Sequence, residues 1–246
     1  MNALQSTLAK RFDRAAHTYD GAADVQKSSA ELLARALVQR ADRAPASILD
    51  LGSGTGYLVE LLLQYFPDSQ YTLNDISPKM LAVARNKLGQ RANVAYQLGN
   101  FEQDAFKPHE WIVSNFSLQW AQNLNRTLRS LYGQADTLAF SCLLDGTFSE
   151  WETLLQSRGI PSTLLDYPTA EALVATLQSL PGALWVESKN FSITFPHARA
   201  FTSYLKSLGA TLGARPLSQK HMRILFAHNE PVQMTYKVFF AILKRP

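Results

Sequence analysis

The chain has 246 residues, 46% hydrophobic and 18% charged, with 24 Lys+Arg against 20 Asp+Glu and one cysteine. That length fits one domain, or one with a small insertion, and the average globular makeup excludes a disordered chain. Cys142 alone excludes an internal disulfide or a Cys-based zinc cluster, and no metal is expected. The net charge of +4 is spread without a long Lys/Arg run, so nucleic acid is not indicated, and an acidic partner or anionic substrate suits the charge equally well.

MNALQSTLAKRF opens the chain without the apolar stretch of a signal peptide. No run approaches the roughly 20 apolar residues that span a bilayer, so no membrane is expected and a cytoplasmic protein is the default. Arg11 to Asp20 mixes polar, small and aromatic residues and reads as a short helix or lid. From Asp24 to Arg40, Val25, Leu32, Leu33, Leu37 and Val38 give a helical stripe, which Ala44-Pro45 ends. Ser47 to Leu51 is the first strand, and a helix is expected from Tyr57 to Phe66. Gln70 to Ile76 alternates as a strand. Ser77-Pro78 then opens a helix to Leu88, serine as N-cap and proline at the first helical position. Further strands fall at Val94 to Leu98, Trp111 to Val113 and Thr137 to Cys142, with a helix at Leu124 to Tyr132. Cys142 lies in an apolar run and reads as a core thiol.

Past Asp145-Gly146 the rhythm changes. Helices are expected at Phe148 to Arg158, Ala170 to Gln178 and Pro196 to Leu208, and a strand at Ser188 to Phe195. Met234 to Arg245 is an apolar last strand. The alternation of strand and helix predicts an α/β fold, a mostly parallel sheet with helices on both faces. One domain is expected over 1–246. It divides into a helical lid (1–44), a cofactor-binding core (45–145), a helical, substrate-side region (146–235) and the last strand (236–246).

The chemistry centres on ILDLGSGTG, Ile48 to Gly56. A strand that turns through alternating glycines into a helix suits a nucleotide-type cofactor. Glycine lets a ligand approach the backbone, and the next helix offers unpaired N–H groups. The dinucleotide fingerprint needs a third glycine where Tyr57 stands, and the P-loop Gly-Lys-Ser/Thr is missing. What remains, Asp50 followed by Gly52, Gly54 and Gly56, resembles the first motif of the Rossmann-like class I S-adenosylmethionine methyltransferases.

Strand ends in such a sheet converge on one crevice. They bring Asp50, Gly52, Ser53, Gly54 and Gly56 from the first strand, Asn74, Asp75 and Ile76 from the second, Asn100 and Phe101 after the third and Asn115 after the fourth. Asp75, about 20 residues past the glycine loop, suits two ribose hydroxyls; capping the Ser77 helix is the competing role. Asn100 and Phe101 suit adenine, or else form a polar turn with a core phenylalanine.

The resemblance runs over nearly the whole chain. RFDRAAHTYD, LDLGSGTGYL, NDISPKMLAVAR, SNFSLQW, LKSLGAT (Leu205 to Thr211) and TYKVFFAIL together resemble the malonyl-acyl-carrier-protein O-methyltransferases of biotin synthesis. The SN-x-x-x-QW and LK-x-x-GAT elements are the more telling ones. The resemblance implies an S-adenosyl-L-methionine-dependent O-methyltransferase with an antiparallel last strand and an N-terminal lid. Its acceptor would be the free carboxyl of malonyl on acyl carrier protein or on coenzyme A. Relatives often carry Asp where Asn100 stands.

Transfer to an ionised carboxylate, whose ordinary pKa is about 4, needs no general base. It needs alignment, exclusion of water and recognition of the carboxylate. Lys206 is the first candidate for that recognition and Arg199 the second, each against the reading of a solvated surface cation. Tyr19 suits carboxylate orientation from the lid, or packing. His17 is a catalytic candidate that this chemistry does not require; a phenolic acceptor would favour it as a base. Gln119 and Trp120 are acceptor-side candidates. The carrier protein is acidic in the family, so Lys10, Arg11, Arg14, Arg199, Lys206, Arg215, Lys220 and Arg223 are candidates for its docking face. A nucleic-acid methyltransferase and a non-catalytic cofactor-binding module stand as alternatives of other classes.

Overall fold

A computed structural model of the chain describes residues 3–210, 217–227 and 229–246. Three helices come first: α1 (Ala3–Ala15), α2 (Tyr19–Ala22) and α3 (Asp24–Arg40). Strand and helix then alternate through β1 (Ser47–Leu51), α4 (Tyr57–Leu62), β2 (Gln70–Asp75), α5 (Pro78–Leu88), β3 (Val94–Leu98) and β4 (His109–Asn115). A 3-10 turn at Leu118–Trp120 leads to α6 (Leu124–Tyr132) and β5 (Ala135–Leu143). The remainder is α7 (Ser149–Gln156), α8 (Ala170–Gln178), β6 (Ala183–Phe195), α9 (Ala198–Ser207), α10 (Gln219–Phe226) and β7 (Val232–Lys244). Among the described residues no helix is long and apolar enough to cross a membrane.

One seven-stranded sheet has the order β3-β2-β1-β4-β5-β7-β6. The first five strands are parallel, and β7 lies antiparallel between β5 and β6. The fold is therefore the expected Rossmann-like α/β arrangement, helices on both faces and the last strand reversed. Strand alternation sorts the core between the faces. Ile48 packs in one buried cluster with residues of α3, α4, α7 and α9, while Leu49 and Leu51 pack in another with α6 and α8. The even-numbered face of β1 thus carries Asp50 toward the helices that surround the glycine loop.

Local signals set most boundaries. The Ser77 hydroxyl accepts from Met80 N at 3.1 Å, Pro78 follows, and Gly89 ends α5 with a positive φ of 70°. Several expected limits shift. α4 stops at Leu62, not Phe66, because Gln64 and Tyr65 donate to the carbonyls three residues back ahead of Pro67. β6 starts at Ala183, not Ser188, because it pairs with β7 along its whole length. α1 is a longer helix than the short one expected near Arg11, and α10 forms where no element was expected.

Candidate active site at the glycine loop

β1 ends at Leu51, and the loop that follows is fastened to β2. Ser53 N donates to Asn74 O at 2.9 Å, and Gly54 N donates to Asp75 Oδ2 at 2.8 Å. Gly52 adopts φ 64°, a conformation costly for residues with a Cβ. A Cβ there would meet Ser117 Oγ at 1.8 Å and Ser117 Cβ at 2.4 Å. The loop after β4 therefore presses on the loop after β1, and only glycine fits between them.

Asp75 is buried at the end of β2. Its Oδ1 accepts from Ser77 N at 2.8 Å while Oδ2 takes Gly54 N. Burial pushes the carboxyl up to about 6 despite these backbone N–H bonds, which pull it down; the nearby Asp13 charge adds a little. An ionised carboxylate has about four acceptor positions, so two remain for hydroxyl groups. Asp50 is more deeply buried, and its Oδ2 has no partner. Burial first, and the Asp75 charge second, push it up to about 8. A buried carboxylate short of a partner is set to pair with a cation.

Two small cavities meet across Gly52, Gly54, Tyr19 and Asn115. The first, about 70 Å³, is lined by Leu8 and Phe12 of α1, by Asp75, Ile76, Met80, Asn100, Phe101 and by Trp120. The second, about 40 Å³, is lined in part by Asp20, Gln26, Lys27, Asp50, Ser53 and Thr55. Both are far below the roughly 300–1,000 Å³ of a ligand pocket, because α1 and α2 lie over them. Asp13 of α1 accepts from Ser77 Oγ at 2.6 Å and from Lys79 N at 3.2 Å. Asp20 of α2 accepts from Thr55 Oγ1 at 2.6 Å and pairs with Lys87 at 2.6 Å. Thr18 Oγ1 donates to Ser207 O at 2.9 Å, tying the segment to α9. These contacts hold α1 and α2 over the two cavities.

Of the sequence candidates, Tyr19, Asp50, Gly52, Ser53, Gly54, Asp75, Ile76, Asn100, Phe101, Asn115 and Trp120 line these cavities. Asn100 keeps its Nδ2 without a partner, while its Oδ1 accepts from Glu102 N at 2.9 Å. Ser53 Oγ is likewise unpartnered. Asn115 is spoken for: Nδ2 donates to Gln26 O, and Oδ1 accepts from Ser29 and Ser141. Trp120 stands edge-on to Phe12, centroids 6.0 Å apart, joining wall to lid.

Other candidates lie outside. Arg199 and Lys206 occupy one exposed face of α9, because Ala198, Phe201 and Leu205 turn its other face to the core. Arg199 stacks on Phe226, its guanidinium carbon 4.7 Å from the ring centroid. His17 is exposed and lines neither cavity. Gln119 turns its Nε2 back to Phe116 O at 2.7 Å. Asn74 is fully buried behind the loop, its amide bound to Gln97 O and Gly99 O. Gly56 caps α4 outside both cavities, and a Cβ there would sit 3.1 Å from Ala84 Cβ of α5. Arg215 and Thr211 lie outside the described residues. Cys142 is buried in β5, and burial pushes its thiol up to about 12.

The structure adds residues that no sequence pattern singles out. Tyr236 of β7 donates to Tyr204 of α9 at 3.2 Å, with Gln26 beside it. Burial pushes the phenols of Tyr19, Tyr204 and Tyr236 up, and the first and last are raised further by Tyr204. All three stay protonated donors. They lie on three separated segments, so no local pattern could unite them. A larger cavity, about 490 Å³, lies at the opposite end of the strands beside Arg43–Glu110 and Lys244–Asp42 ion pairs. It lacks the glycine loop and the unpartnered carboxylate, so the smaller cavities mark the chemistry.

Residues 49–135 match the family described as "Methyltransferase domain". The malonyl-[acyl-carrier protein] O-methyltransferase of Neorickettsia risticii is 32% identical over 241 residues, covering 97% of this chain and 96% of its own. That of Priestia megaterium is 33% identical over 223 residues, covering 83% of this chain and 81% of its own. The crystal structure of the YcgJ protein from Bacillus subtilis superposes with a TM-score of 0.60 at 16% identity, covering 88% of this chain and 99% of that one. The fold is thus shared at low identity, while the sequence likeness runs over most of the chain: the chain belongs to the malonyl-[acyl-carrier protein] O-methyltransferase family.

Proposed function

We propose that the protein transfers the methyl group of S-adenosylmethionine to the free carboxyl of malonyl borne on acyl carrier protein, forming the methyl ester. The carrying observation is the set of unmet polar atoms around the glycine loop: the open acceptor positions of Asp75, Asp50 Oδ2 and Asn100 Nδ2. They suit, in order, a ribose diol, an ammonium group and an adenine ring nitrogen. Gly54, with open space where a Cβ would stand, leaves room for backbone approach, and Ile76, Met80 and Phe101 supply apolar contact. When bound, S-adenosylmethionine supplies a sulfonium methyl open to displacement.

The acceptor carboxylate arrives ionised, so the protein has to orient it and exclude water rather than take a proton. Neutral hydroxyls suit this task, since they hold one oxygen without pairing off the charge of the other. Tyr19 and Tyr204 fill that role in our reading, in place of the outward-facing Lys206 and Arg199. The lid formed by α1 and α2 excludes water once closed. Lys10 and Arg14 of α1, Arg199 and Lys206 of α9, and Lys220 and Arg223 of α10 are exposed. We assign to them the steering of an acidic carrier protein, an effect on association rate more than on affinity.

The test uses methyl-labelled S-adenosylmethionine with malonyl-carrier protein, acetyl-carrier protein and malonyl-coenzyme A. Label should reach malonyl-carrier protein and leave as methanol on alkaline hydrolysis. Equal labelling of the acetyl form, or base-stable label, overturns the proposal. A preference for malonyl-coenzyme A overturns the carrier-protein assignment alone.

A further inference from the structure

The sheet has two outer edges, built differently. β3 at one edge is five residues long, and short edge strands discourage pairing with other chains. β6 at the other edge runs thirteen residues and is exposed from Val186 to Asn190. No described strand covers its outer side.

The backbone direction along β6 follows from its neighbour. Odd positions of β7 serve the β5 side: Leu144 N donates to Lys237 O at 2.9 Å, and Arg245 N, just past the strand, donates to Asp136 O at 2.8 Å. In an antiparallel ladder a residue's N–H and C=O point to the same side and alternate along the strand. Even positions of β7 therefore face β6, where the register sets Ile242 against Trp185 and Val238 against Lys189. The N–H and C=O groups of Leu184, Val186, Ser188, Asn190 and Ser192 consequently aim outward.

We infer that β6 pairs antiparallel with β6 of a second copy of this chain, about a two-fold axis at Ser188, joining two sheets into one. In that register Glu187 of one copy faces Lys189 of the other, twice over, and Trp185 faces Phe191. These are non-hydrogen-bonded pairs, where opposing side chains come closest. The even positions between them exchange backbone bonds. Moving the axis one residue either way sets Glu187 against Glu187 or Lys189 against Lys189, and like charges directly opposite repel. Charge therefore selects one register, and the contact is isologous and closed. A lone lysine on an edge strand keeps sheets apart. Here Glu187, on the same face two residues away, turns that repulsion into self-complementarity. Neither residue has an ion-pair partner among the described residues.

Sedimentation velocity of the full chain over a concentration series tests this. The expected result is a species of twice 27.4 kDa. Val186→Pro removes an outward N–H without touching the β7 ladder, and should leave a monomer with unchanged circular dichroism. Lys189→Glu should do the same by charge, and Glu187→Lys combined with Lys189→Glu should restore the dimer. A monomeric wild type, a dimer that survives Val186→Pro, or a charge swap that fails to restore association would each overturn the inference.

Discussion

Replacing Gly52 with alanine attacks the site at its tightest point. A left-handed residue with a Cβ costs about 1–2 kcal/mol. The added carbon also falls 2.4 Å from Ser117 Cβ, whereas carbon atoms rest about 3.5–4.0 Å apart. Rotating the Ser117 hydroxyl does not relieve that overlap, so one loop must shift by about 1 Å, an overpacking cost of about 1–3 kcal/mol. The total is about 2–5 kcal/mol. At roughly 2–4 °C per kcal/mol for a chain of this size, the thermal midpoint should fall by about 4–20 °C. Affinity for S-adenosylmethionine should fall with it, because Gly52 and Ser117 both line the cavity. Adding Ser117→Gly removes the overlap but not the backbone strain, so the double variant should recover the overpacking share and keep a deficit of about 1–2 kcal/mol. Differential scanning fluorimetry and titration calorimetry read both quantities. A Gly52→Ala protein with wild-type midpoint and affinity would refute the steric reasoning. A double variant no better than the single one would show that the strain lies elsewhere.

Other expectations follow from the carboxylates and the lid. Asp50 holds its proton up to about pH 8, against about 3.9 in an unfolded chain, so its contribution to stability is complete below about pH 4 and is lost as pH rises to about 8. Asp50→Asn should flatten that slope. Cofactor binding near pH 7 should release a proton, seen as calorimetric heat that varies with buffer ionisation; buffer-independent heat would disprove this. In Asp75→Asn the lost acceptor and the relieved burial of charge nearly cancel in stability, since burial already outweighs the backbone N–H bonds. Affinity for S-adenosylmethionine should still fall roughly tenfold to a hundredfold, about 1.5–3 kcal/mol, and unchanged affinity would contradict the ribose role. Tyr19→Phe should lower kcat with little change in thermal midpoint, whereas His17→Ala on the exposed turn should alter kcat by about twofold at most. Equal losses in the two variants would return His17 to the site.

Much of the architecture was legible in the chain because its signals are local. Apolar strands set against amphipathic helices, the Ser77-Pro78 cap and the glycine turn after Leu51 each depend on residues a few positions apart. The cofactor-side candidates came from the same source: a residue at the end of a parallel strand has its crevice fixed by topology. Candidates away from strand ends fared differently. Lys206 sits one residue past buried Leu205, and that single step of about 100° along α9 turns it to solvent.

The alternation of β1 to β5 with their helices, the glycine turn after Leu51 and the acidic residues near the ends of β1 and β2 were legible in the chain alone, since each rests on short-range periodicity, whereas α10 carried no such signal. Packing brought Ser117 into the space above Gly52, set Asp13 and Asp20 to hold α1 and α2 over the cavities, and gathered three phenols from α2, α9 and β7 into one neighbourhood. Those pairings join residues many positions apart. Their distances are set by how helices pack on a twisted sheet, and no local pattern carries that information.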